Sequence, residues 1–148
     1  MLKTIYRNTI PLYTIVLLYL MFLGFGRDIM EDHIIRLTPI TSTYLFIEKC
    51  LLYSQYRVLT INLIGNIVMF MPFGGLGLVF PSLLNYKKLM LHFLAGIFVV
   101  ESLQYFTRLG VFDIDDIIFN SIGVTLGYYF FKYTILLNDK VAEAGILK

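Results

Sequence analysis

Four apolar blocks, each about as long as a bilayer is thick, constrain this chain more than any other feature. They cover about Ile10–Gly26, Leu59–Phe80, Leu89–Thr107 and Asp116–Leu137. A helix crosses the hydrocarbon core with ~20 mainly apolar residues, and a helix satisfies its own backbone polar groups there. Of the 148 residues, 58% are hydrophobic and 15% are charged, and the mean hydropathy is +0.77. A soluble domain carries roughly a quarter charged residues, so a water-facing globule is excluded. The pattern predicts an all-α, polytopic transmembrane helical bundle of about four spans, forming a single domain over residues 1–148. A formal charge of +2 with no basic run argues against a nucleic-acid partner. Cys50 is the only cysteine, which excludes an internal disulfide and a cysteine metal site.

The ends and interruptions of these blocks carry the local detail. Lys3 and Arg7 precede the first block, which reads as a signal anchor, and Pro11 is expected in its opening turn. Between Arg27 and Arg57 a polar connection holds a short piece, Tyr44 to Tyr53, expected to lie in the interface as an amphipathic turn or helix. Pro72 and the glycines at 74, 75 and 77 interrupt the second span. Pro72 has no N–H to bond the carbonyl of Val68, so a kink or local unwinding is expected. The third and fourth spans join through a short turn around Gly110. Lys3, Arg7, Lys87, Lys88, Lys132, Lys140 and Lys148 fall on one side of a four-span model, against Arg27, Arg36, Lys49, Arg57 and Arg108 on the other. The positive-inside rule then puts both termini in the cytoplasm of a multi-pass plasma-membrane protein.

Polar residues within spans are costly and therefore informative. Asn62 and Asn66 share one face of the second span. Glu101, Gln104 and Arg108 follow i, i+3, i+7 on the third, one face if the helix reaches that far. Asp116 and Asn120 are one turn apart on the fourth, with Gly123 and Gly127 continuing their stripe; Asp113 joins that face if the helix starts early. Asp115 would point elsewhere, into solvent. In the four-span topology all these groups lie near the extracytoplasmic surface, which predicts a common polar cavity.

Bland readings stand beside this one. The asparagines serve equally well as hydrogen bonds between helices and Asp113 as the partner of a helix dipole, an account that fits Asp116 less well. Glu101 and Arg108 read alternatively as a structural ion pair, if both side chains reach across two turns. For Gly123 and Gly127 close helix packing is the preferred account, and His92 reads as an interfacial side chain beside Lys88. If the cavity is functional, its carboxylates suit a hard cation such as Mg²⁺, an amine, or proton transfer. Metal and cofactor remain open, as does the question of catalysis. No Ser-His or Cys-His pairing, HExxH or P-loop is present.

The same residues resemble the VanZ-like family of small bacterial membrane proteins. The carriers are Arg36-Leu-Thr-Pro-Ile40, Asn62-Leu-Ile-Gly-Asn-Ile-Val-Met-Phe-Met-Pro-Phe-Gly74, Glu101-Ser-Leu-Gln104 and Asp113-Ile-Asp-Asp-Ile-Ile-Phe-Asn-Ser-Ile-Gly123, in order over about residues 36–127. The resemblance marks Asn66, Pro72, Gly74, Glu101, Gln104, Asp116, Asn120 and Gly123 as family-like, with Arg108 and Asp113 beside them and Asp115 outside the pattern. The family is named for a protein that confers low-level resistance to teicoplanin, a lipid-bearing glycopeptide acting on cell-wall precursors. A cell-envelope role is thereby implied, with the bilayer and a cell-wall precursor or lipoglycopeptide as partners. The expected site has Glu101 and Asp116 as its reactive carboxylates, with Asn66, Gln104, Arg108, Asp113 and Asn120 binding substrate. The competing functions are a structural or partner-binding membrane subunit and a small transporter.

Overall fold

The computed structural model of the protein describes residues 2–24 and 28–143, and within these the side chains of all but 2, 41, 42, 57–62 and 135–143. Gly26, Arg27, the side chain of Asn62 and the end of the polar tail therefore lie outside the described residues. The chain is all-α. Among the described residues it forms α1 (Leu2–Phe22), α2 (Thr41–Leu52), α3 (Tyr56–Phe70), α4 (Tyr86–Thr107) and α5 (Ile114–Glu143). Tight 3-10 turns cover Met71–Leu78 and Pro81–Leu84. Two two-residue strands, β1 (Ile35–Arg36) and β2 (Phe112–Asp113), pair in parallel with Ile35 opposite Phe112 and Arg36 opposite Asp113.

α1 corrects the expected start of the first block. The helix begins at Leu2, so Pro11 lies inside it and the carbonyl of Arg7 loses its usual donor. Tertiary packing explains the longer helix: Tyr6 and Ile10 are buried, and the Tyr6 ring meets Phe131 edge-on at 5.6 Å.

The expected unwinding at Pro72 is present. α3 gives way to 3-10 geometry at Met71, one residue ahead of the proline. The N–H of Met71 serves the carbonyls of both Ile67 and Val68, so the acceptor stranded by Pro72 keeps a donor. Two α1 hydroxyls finish the repair. Tyr13 donates to the carbonyl of Met69 and Tyr6 to that of Pro72, each at 2.6 Å. α1 thus holds a break that isolated helix physics would leave unsatisfied.

α5 packs along α3 and its 3-10 continuation, and the small residues set the spacing. A Cβ at Gly127 would overlap the carbonyl of Met71, one at Gly123 the carbonyl of Ile67, and one at Gly74 the backbone of Tyr128. The close-packing account of Gly123 and Gly127 is therefore the structural one. The core between these elements consists of Leu17, Phe70, Leu83, Leu89, Ile97, Val124 and Tyr128.

The surface around this core is itself apolar, with Leu12 65%, Leu91 68% and Phe106 70% exposed on α1 and α4. Among the described residues two helices, Lys3–Phe22 and Tyr86–Thr107, are long and apolar enough to cross a membrane, and Leu63–Leu78 is a shorter apolar stretch.

Candidate functional site

The polar groups of three helices meet beside the α4–α5 turn. α4 ends at Thr107, and Arg108 takes the left-handed conformation, with φ 58°. The chain then runs through β2 directly into α5. Residues 28–40 cross this end of the bundle. Met30 N–H donates to the carbonyl of Arg108 at 2.9 Å, and Phe112 N–H to that of Ile34 at 3.1 Å. This crossing and the β1–β2 pairing bring the loop to the ends of α4 and α5.

A cavity of about 230 Å³ lies beneath, bordered by Arg36, Asn66, Glu101, Gln104, Asp113, Asp116 and Asn120, with apolar walls from α1 and α3. Glu101 is 1% exposed and accepts a 3.3 Å hydrogen bond from the N–H of Asp113. Gln104 donates through Nε2 to the carbonyl of Met21 at 2.9 Å, satisfying an acceptor in the last turn of α1. Asn66 Nδ2 donates to Asp116 Oδ1 at 2.7 Å, joining α3 to α5. Asp113 Oδ2 lies 3.4 Å from the Arg36 guanidinium. Asn120 is 1% exposed, and among the described residues its Oδ1 is a buried side-chain acceptor without a partner. A buried acceptor with no donor at all costs about 1–3 kcal/mol, so this one calls for a donor from water or a guest. It marks a place where a donor fits.

The cavity thus gathers Glu101, Asp116, Asn66, Gln104, Asp113 and Asn120. Arg108 is the exception. Its side chain is exposed and donates to the carbonyl of Glu31 at 3.4 Å, and it does not border the cavity. The i, i+7 stripe fails because α4 stops one residue short of it. A structural pair of Arg108 with Glu101 is set aside for the same reason. The cavity's guanidinium comes from Arg36, across the two-residue strand pairing. Its one sequence signal is its place in the Arg36–Ile40 motif.

Asp115 also departs from expectation. It is 4% exposed, and its carboxylate accepts from Ile40 N–H at 2.7 Å, Thr43 N–H at 3.1 Å and Thr43 Oγ1 at 2.6 Å. A carboxylate from α5 therefore caps the start of α2, which has no side-chain cap of its own. A second cavity of about 150 Å³ lies there, sharing Arg36, Asn66, Asp113 and Asp116 with the first.

Carboxyl groups outnumber cations around the cavities, so the region favours a cationic, donor-rich guest. A backbone N–H meets Glu101, an amide meets Asp116 and a guanidinium meets Asp113. Among the described residues no three of His, Cys, Asp and Glu come together as a metal-holding group.

Fold and site together define an all-helical protein with an apolar exterior and a buried acidic cavity at one end. The chain belongs to the VanZ/LLP1 family, whose model matches residues 10–137. Neither the curated proteins nor the solved structures yield a match to it.

Proposed function

We propose that this chain is a multi-pass protein of the bacterial cell membrane whose polar cavity holds the head of an envelope amphiphile. About four crossings are inferred, by α1, α3 with its 3-10 continuation, α4 and α5, with both termini in the cytoplasm. The apolar exterior supports this reading, because large exposed side chains such as Leu12 and Phe106 cost nothing against lipid but are unfavourable against water. With this orientation the cavity opens near the outer leaflet, where lipid headgroups, lipid-linked wall precursors and lipoglycopeptides are found. Lower susceptibility to teicoplanin is the physiological outcome proposed.

The observation carrying this reading is the orphaned Oδ1 of Asn120 in a cavity bordered by Glu101, Asp113 and Asp116. An apolar core would bury such an atom at a loss. A donor-bearing guest removes that loss.

Complementation of a deletion strain under teicoplanin is the test. Glu101→Gln and Asp116→Asn keep shape and remove charge, and should abolish protection with the protein still abundant in the membrane. Arg108→Gln, outside the cavity, should protect as wild type does. Full protection by both carboxylate variants at normal abundance would refute the site. Loss of both variants from the membrane would instead favour a structural subunit whose polar groups only hold helices together.

A further inference from the structure

A second cavity system bears on what the guest is. Between α1 and α4 lies an apolar groove of about 290 Å³, bordered by Leu18, Phe73, Leu76, Phe93, Ile97 and Val100 among others. Leu17, Met21 and Phe70 border this groove and the polar cavity alike. The two spaces therefore adjoin at these three side chains, polar on one side and hydrocarbon-like on the other.

Gly96 supplies an independent observation. Glycine within a helix costs about 1 kcal/mol relative to alanine, so it needs a reason. At Gly74, Gly123 and Gly127 the reason is backbone contact, as shown above. At Gly96 an added Cβ would meet nothing within 4 Å. This glycine permits no close helix approach; its effect is to keep the groove wide where it borders α4.

Charge then selects the head. Glu101, Asp116 and the Asn120 carbonyl oxygen line the interior and accept hydrogen bonds, which suits an ammonium. Arg36 stands at the edge, with its side chain 51% exposed, and lines both polar cavities. Its guanidinium has five donors and only part of that capacity faces Asp113, leaving a fork that suits a phosphodiester.

Building on the proposed function, we infer that the guest is an aminophospholipid of the surrounding bilayer. Its ammonium sits among Glu101, Asp116 and Asn120, its phosphate meets Arg36, and one acyl chain lies in the α1–α4 groove past Gly96. A head without its chain fills only the polar half; a chain without an ammonium leaves Asn120 unpaired.

The test uses the full chain in phosphatidylcholine nanodiscs carrying a minor fraction of phosphatidylethanolamine with a photoreactive group in its acyl chain. Crosslinked peptides are read by mass spectrometry. Wild type should capture the probe on α1 and α4 residues of the groove about tenfold more than a phosphatidylcholine probe with the same chain, a difference of about 1.4 kcal/mol. Gly96→Phe should lower that capture about tenfold while leaving binding of soluble phosphoethanolamine unchanged. Leu91→Ala, on the exposed face of the same helix and outside the groove, should retain capture and serves as the folding comparison. Glu101→Gln should weaken both lipid capture and phosphoethanolamine binding. Undiminished capture by Gly96→Phe overturns the chain's placement, even where Glu101→Gln still loses phosphoethanolamine and the cavity reading survives. Equal capture of the two lipid probes overturns the ammonium assignment. Unchanged phosphoethanolamine binding by Glu101→Gln would count against the cavity itself.

Discussion

Removing the Asp115 carboxylate should loosen α2 from the bundle, and the protein carries its own reporter of that event. Asp115 accepts from two backbone N–H groups and one hydroxyl at the start of α2. Hydrogen bonds to a charged group contribute about 1.5–3 kcal/mol each when both partners are buried. Here Ile40 is 71% exposed, so the released donors find water and the loss falls well below the sum. Ile40 also sits at φ 69°, a left-handed conformation that is strained for a β-branched residue and opposes the docked state. We therefore expect Asp115→Ala to cost about 2 kcal/mol of α2 docking, which raises its undocked population roughly 30-fold. Cys50 lies on α2, is 1% exposed and is the chain's only cysteine. When redocking is fast, its maleimide labelling rate follows the open population. The rate should rise roughly 30-fold in Asp115→Ala and about fivefold in Asp115→Asn, which retains one acceptor oxygen but no charge. Unchanged labelling of Asp115→Ala, with helical ellipticity intact, would refute the capping role.

Two glycines should respond with opposite sign to the same substitution. Gly127→Ala places a methyl on the Met71 carbonyl and should lower the thermal midpoint in detergent, since overpacking at about 1–3 kcal/mol exceeds the propensity gain. Gly96→Ala meets open space and should raise it by about 1 kcal/mol equivalent, and equal shifts at both positions would contradict the packing described. For topology, single cysteines near Asp32 and Gly110 in a Cys50-free variant should label from outside intact cells, and one near Lys87 should not. The reverse pattern would invert the proposed orientation, and labelling of all three would end the four-span model.

What could be read along the chain was whatever depends on short-range spacing. Apolar block length announced the helices, and the missing N–H of Pro72 announced the change of helical form found at Met71. The i, i+3 relation of Glu101 to Gln104 and the i, i+4 relation of Asp116 to Asn120 put each pair on one face, and both pairs border the cavity. Helical phase is a local property, so no tertiary knowledge was needed. Arg36, Arg108 and Asp115 were decided differently. Arg36 reaches Asp113 across 77 positions through two paired residues, and Asp115 reaches Ile40 and Thr43 across 75 and 72. Arg108 leaves the cavity because one residue adopts positive φ at the end of α4. The early start of α1 follows from the burial of Tyr6 and its bond to Pro72 O, 66 positions away. Periodicity tells a side chain which face of its own helix it occupies. Where a loop crosses and where a helix stops is set by contacts between distant segments, whose energies no local pattern contains.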